Sequence, residues 1–153
     1  MRTCSKHCLV SYVYVVSVLV LLSFPSLHAQ GTPTGKLITV VEADSLFGGV
    51  QIAVNFTADS VQNWLAQTDS VIMFSIRDGQ LFVLGDHRKV IAPPAAVVNP
   101  DEVFHLYSKS KVEELLHSGA EPLIDFEQRK SVMTIKDGSS VLEFGDNCPP
   151  NCN

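Results

Sequence analysis

Beyond residue 35 the apolar positions mostly alternate with polar ones or run in short β-branched stretches, and helical spacing appears only in brief segments. Residues 36–42 (KLITVVE) and 50–56 (VQIAVNF) predict two strands, joined as a hairpin across the turn-forming stretch 43–49. Thr57 then caps a short helix over 58–67, with Val61, Trp64 and Leu65 on one face. Residues 71–77 (VIMFSIR) and 80–84 (QLFVL) flank Asp78-Gly79, the dipeptide suited to a two-residue hairpin because both central positions need positive φ. After Gly85-Asp86 a more polar strand is predicted over 87–92, stopped by Pro93-Pro94. Asn99-Pro100-Asp101-Glu102 carries the chemistry of a helix start, and Ser110-Lys111-Val112-Glu113 that of a capping box. Two short helices, 100–107 and 111–118, are therefore expected, with Gly119 closing the second.

The last third predicts strands over 122–127, 131–136 and 140–144, the latter two about a turn at Asp137-Gly138. Residues 70–86 and 131–146 echo one another around their Asp-Gly pairs. The echo is read first as shared turn chemistry, with a duplicated β unit as the alternative. About eight strands, mostly hairpin-linked, and three short helices place the chain in the α+β class. A single domain is expected, with an antiparallel β-sheet built from hairpins and two or three short helices packed on one face.

The N-terminal pattern differs. Arg2 and Lys6 precede an apolar run over 8–24, followed by Pro25 and the small Ala29. This is the layout of a Sec-type signal peptide over 1–29, cut after Ala29, and it predicts a secreted or periplasmic product of about 124 residues. The alternative is an uncleaved anchor, since residues 8–27 are just long enough to span a bilayer. Residues 30–35 read as a flexible leader, 36–146 as the folded domain and 147–153 as a Cys-Pro-Pro-Asn-Cys tail. Cys148 and Cys152, the two cysteines outside the signal segment, predict a local disulfide in an oxidising compartment; a thiolate metal or redox site is the competing reading.

Without the first 29 residues the chain carries nine Lys and Arg against sixteen Asp and Glu, a net charge of −7. That balance argues against nucleic acid as a partner, because phosphate neutralisation needs a basic face. No cofactor is expected, and the membrane enters only through the signal segment.

Three histidines, His87, His105 and His117, lie outside the signal segment. Asp86 and His87 are the candidates for acid/base catalysis. Asp101 and His105, four apart on the expected helix, are the candidates for half a metal site. His117 fits a helix C-terminal cation. The segment from Phe82 to Arg88 is similar over seven residues to the Gly-Asp-Asn-Arg box of type I signal peptidases. Val90, Ile91 and Ala92 stand where its Ser and Asp should follow, and no Ser/Lys pair accompanies it, so the likeness assigns no role. Asn55-Phe56-Thr57 is a formal N-glycosylation acceptor. The expected function is non-enzymatic binding of a protein or envelope component. The alternative is a small extracytoplasmic metal-assisted or acid/base enzyme using Asp86, His87, Asp101 and His105.

Overall fold

A computed structural model of the protein describes residues 32–119, 121–150 and 152. The signal segment, with its alternative as an anchor, lies outside the described residues. Thr32–Asn153 forms one compact unit. No helix among the described residues is long and apolar enough to cross a membrane.

The elements follow in the order β1 (Lys36–Thr39), α1 (Val40–Phe47), β2 (Ile52–Thr57), α2 (Ala58–Leu65), β3 (Val71–Arg77), β4 (Gln80–Leu84), a 3₁₀ turn (Asp86–Arg88), β5 (Val90–Ala92), β6 (Phe104–Ser108), α3 (Lys109–Ser118), β7 (Leu123–Gln128), β8 (Met133–Asp137), β9 (Ser140–Glu143) and β10 (Asp146–Cys148). The α+β class with antiparallel pairing is observed, and the strands divide into two five-stranded sheets. Sheet A has the order β1-β9-β8-β7-β2, and sheet B the order β10-β6-β3-β4-β5.

The series β2-α2-β3-β4-β5 and β6-α3-β7-β8-β9 repeat one arrangement. In each, a strand runs directly into a helix, which leads to a three-stranded meander. The first strand of each series joins the other's meander: β2 pairs with β7, and β6 with β3. This repetition matches β3-β4 to β7-β8, whereas the Asp-Gly echo matches β3-β4 to β8-β9. The echo therefore follows hairpin chemistry, and the topological repeat lies one strand away from it.

Alternation decides what the sheets bury. Ile72 and Phe74 of β3, Tyr107 of β6, Ile124 and Phe126 of β7 and Ile135 of β8 face a shared core, closed by Val61 and Leu65 of α2 and Val112 and Leu115 of α3. The sheets meet through the Phe74 and Phe126 rings, with centroids 4.9 Å apart, and through the Tyr107 hydroxyl, which donates to the Met133 carbonyl. The opposite face of sheet B buries Met73, Leu84, Phe104 and Leu106 beneath Ala96 and Val98. α1 packs Ala43 on Ile38 and Val141 at the far side of sheet A.

Several expectations are corrected. Residues 36–42 and 50–56 form no hairpin. The Thr39 hydroxyl accepts from the Glu42 N–H and ends β1, so that the expected turn becomes α1. β1 and β2 consequently occupy opposite edges of sheet A. No helix forms over 100–107. Asn99 Oδ1 accepts from Asp101 N–H at 3.0 Å and the Asn99 carbonyl from Glu102 N–H at 3.1 Å, closing an isolated turn. Phe104 and Leu106 then bury on one face and Tyr107 on the other, a period of two that favours β6. α3 starts at Lys109, and the expected cap at Ser110 is not used. Its flanking Ser108 hydroxyl instead accepts from Thr34 N–H at 2.7 Å. The strand expected over 87–92 is reduced to Val90–Ala92, because His87 and Arg88 adopt φ of 55° and 58°. The second Asp-Gly turn shifts by one residue, with Asp137 ending β8 opposite Ser140. Its carboxylate is buried against Gly119, where any Cβ would collide with it.

A polar network fastens α1 to the outer face of sheet A. Arg129, 1% exposed, donates to Asp44 Oδ1 and to the Gly48 carbonyl at the C-terminal end of α1, both at 2.6 Å. It also donates to Glu127 Oε2 at 2.9 Å and Thr134 Oγ1 at 3.3 Å. Burial works against the guanidinium charge, but the hydrogen bonds to Asp44 and Glu127 outweigh it and raise the Arg129 pKa. Removing the cation would strand the buried Glu127 carboxylate, so Arg129→Met is expected to cost about 3–5 kcal/mol in urea unfolding. Asp44→Ala, at a side chain 54% exposed, should cost less than about 1 kcal/mol in the same measurement.

Candidate functional site

Asp86 stands in the 3₁₀ turn after β4, and its carboxylate faces the loop before β3. It accepts from Asp69 N–H at 2.6 Å, Val71 N–H at 3.1 Å and Ser70 N–H at 3.3 Å, with the Thr68 hydroxyl 2.6 Å away. Asp86 N–H in turn donates to Thr68 Oγ1 at 3.0 Å. Burial alone would raise the Asp86 pKa, but the hydrogen bonds from Thr68, Asp69, Val71 and Ser70 outweigh it and lower the value. The group is an acceptor that organises a loop. Gly85 permits this approach, since a Cβ there would lie 2.9 Å from Thr68 Oγ1. His87, the next residue, is exposed and in the left-handed region.

Asp101 is exposed in the turn after Asn99, whereas His105 lies half-buried on β6, opposite Phe74 and Asn147. The helical face expected to align Asp101 with His105 does not exist. Burial lowers the His105 pKa and favours its neutral ring. Among the described residues no three His, Cys, Asp or Glu side chains gather as a metal site. His117 occupies the last turn of α3, with Nδ1 2.6 Å from the Glu113 carbonyl.

What joins the regions of Asp86 and Asp101 is Arg88, expected only as one residue of a polar strand over 87–92. Its guanidinium donates to the carbonyls of Glu102 at 2.9 Å, Asn99 at 3.2 Å and Cys148 at 3.2 Å, and lies 5.2 Å from the Phe104 ring centroid. The same Nη1 atom is 3.3 Å from Cys148 Sγ. Cys148 and Cys152 form the expected disulfide. Arg88 thus ties the 3₁₀ turn to two distant segments. No spacing rule announces such a role, because its partners are backbone carbonyls.

Concavities open to solvent are found among the described residues. One, of about 370 Å³, lies between α2 and α3, floored by Leu65, Ala66 and Leu116 and rimmed by Gln62, Lys109, Glu113 and His117. The other, wider, is lined by Glu121, Leu123, Asp125, Lys136, Gly138 and Ser139. In the second, Lys136 Nζ bonds Asp125 Oδ2 at 2.9 Å and lies 4.0 Å from Glu127 Oε1. The hydrogen bond it donates to Asp125 is the main cause of a raised Lys136 pKa, so this lysine is held as a cation. In the first, Lys109 Nζ donates to the Thr68 carbonyl at 3.0 Å. The same Nζ lies 4.0 Å from Glu113 Oε1.

Glu143, at the end of β9, is buried and accepts a hydrogen bond from Phe144 N–H. Burial pushes its pKa up to about 7.

Comparison with known protein families, with curated proteins and with solved structures finds no match.

Two measurements check these assignments. Asp86→Ala leaves the N–H groups of the 69–71 loop without their acceptor and should cost about 1–3 kcal/mol near neutral pH. Because the folded pKa of Asp86 is lowered, this stabilisation is present above its ordinary value near 3.8 and is lost as pH falls through the lower folded value. The difference from wild type should therefore close in acid. Glu143 acts in the opposite sense. Its raised pKa makes the folded state bind the proton more tightly, so its contribution is full below the ordinary value of 4.5 and is lost as pH rises through about 7. Denaturant titrations from pH 4.5 to 8 should show wild type losing stability relative to Glu143→Gln by up to about 1.4 kcal/mol per pH unit. The paired comparison separates Glu143 from His105, whose lowered pKa has the reverse pH dependence.

Proposed function

We propose that this protein is a secreted or periplasmic binding domain that engages a protein or envelope component by contact, through a sheet edge and the neighbouring helix surface. The observation that carries this reading is the edge strand β2. Exposed edges are templates for pairing, and folded domains keep them short, charged or interrupted by proline. Three of the four sheet edges here follow that rule by length: β1 has four residues, and β5 and β10 have three each. β2 has six residues, Ile-Ala-Val-Asn-Phe-Thr, with neither a charge nor a proline. Ile52, its first residue, is 45% exposed, and Val50, two residues before it, is 43% exposed. An extended segment of a partner adding beside β2 would satisfy its free backbone groups and cover these side chains. The extracytoplasmic address rests on the pattern of residues 1–29 and is supported by the Cys148–Cys152 disulfide.

The test is hydrogen–deuterium exchange on the purified protein, with and without envelope-fraction proteins from the cells that make it. Protection concentrated on residues 52–57 is expected. Ala53→Lys/Asn55→Lys, two exposed positions of β2, should weaken the interaction at least about tenfold while leaving the melting temperature near wild type. Protection elsewhere with none on β2, or unchanged binding by the lysine variant, would remove this reading.

A further inference from the structure

Arg88 raises a question its structural ties do not answer. Its hydrogen-bond acceptors are three carbonyl oxygens and the sulfur of Cys148, and among the described residues it makes no ion pair with a carboxylate. A partly buried cation is thus held against one sulfur of a disulfide with no carboxylate paired to it among the described residues. The two sulfurs are also placed differently. Cys148 is 0% exposed and sits among the apolar residues on the outer face of sheet B, whereas Cys152 is only partly buried at its margin.

We propose that the Cys148–Cys152 bond is an exchangeable disulfide, open to attack by a dithiol at Cys152 and releasing Cys148 as a thiolate stabilised by the Arg88 guanidinium. A nearby cation favours a thiolate over a thiol, and a more stable leaving thiolate departs faster. In the first step a thiolate of the external dithiol attacks Cys152 Sγ. A sulfur–sulfur bond forms there, the bond to Cys148 breaks, and its electron pair leaves on Cys148 Sγ. The second thiol of the reagent, deprotonated, then attacks its own sulfur in the mixed disulfide. Cys152 leaves as a thiolate and takes a proton from water. The dithiol has lost two electrons and become a disulfide, and the protein disulfide has gained them.

The fold is arranged to survive this opening. The bond closes a segment of only five residues, so its loss releases little chain entropy. β10 keeps its pairing with β6 over Asp146, Asn147 and Cys148, and the Cys148 carbonyl keeps Arg88. The change on reduction falls on the segment after Cys148. Cys152 is then free to leave the apolar cluster it helps to cover.

The experiment uses the full chain in a Cys4→Ser/Cys8→Ser background, so that only the tail thiols report. With Cys152→Ser added, thiolate absorbance at 240 nm against pH reads Cys148 alone. Its midpoint should lie below the ordinary value of about 8.5. Arg88→Gln should raise that midpoint, and Arg88→Lys should hold it near wild type. With the disulfide intact, dithiothreitol titration followed by alkylation and mass spectrometry should find Arg88→Gln roughly tenfold harder to reduce. Glutathione quenched in acid should be found on Cys152. If Arg88 were only a structural tie, its loss would loosen the tail and make reduction easier. That result, a wild-type Cys148 midpoint at or above about 8.5, or glutathione trapped on Cys148 would overturn the proposal. Should Arg88→Gln fail to fold, the wild-type midpoint and the position of the glutathione adduct still decide.

Discussion

Each half of the chain lends two strands to the other's sheet, β1 and β2 to sheet A and β6 and β10 to sheet B, and the inward placement of α2 and α3 follows from that exchange. β2 forms an edge of sheet A beside β7, and β6 joins sheet B between β3 and β10. Because β2 and β6 run straight into helices, α2 and α3 are drawn to the inner faces, where they close one core with both meanders. A single apolar cluster thus contains side chains from both sheets and both helices. Shared burial on that scale couples the halves far more tightly than a linker could.

The local grammar of the chain was legible wherever chemistry within a few residues decides conformation. Asp78-Gly79 turns the β3-β4 hairpin at the expected place, with φ of 52° and 74°. Thr57 caps α2 through Ser60 N–H. The reading failed where one residue type serves two conformations. Thr39 could continue a strand or cap a helix, and the apolar contacts of Ala43 with Ile38 and Val141 favour the helix. Asn99 could start a helix or close a turn, and burial of Phe104 and Leu106 on one face favours the turn followed by a strand. The strand exchange had no local signature, because pairing partners such as Asn55 and Asp125 are far apart in sequence.

The polar candidates were legible as residues but not as roles. An acid beside a histidine suggests catalysis, but the Asp86 carboxylate gathers the N–H groups of a preceding loop. Arg88 and Arg129 carry no such signal in the sequence, since arginines are mostly exposed. Both reach backbone carbonyls exposed at the ends of other elements, Gly48 for Arg129 and Asn99, Glu102 and Cys148 for Arg88. The planar guanidinium supplies several donors in fixed directions, which suits it to bridging segments that share no regular pairing.

The placement of β1 bears on how the chain is made. Its partner is β9, so Lys36 waits for Glu143, and the bond from Thr34 to Ser108 waits for the end of β6. A chain emerging N-terminus first can form the β3-β4 hairpin early, but sheet A has no completed order until nearly the whole sequence is available. During synthesis β1 therefore stays without its neighbour, and sheet A keeps a vacant edge beside β8, until Ser140–Glu143 has emerged.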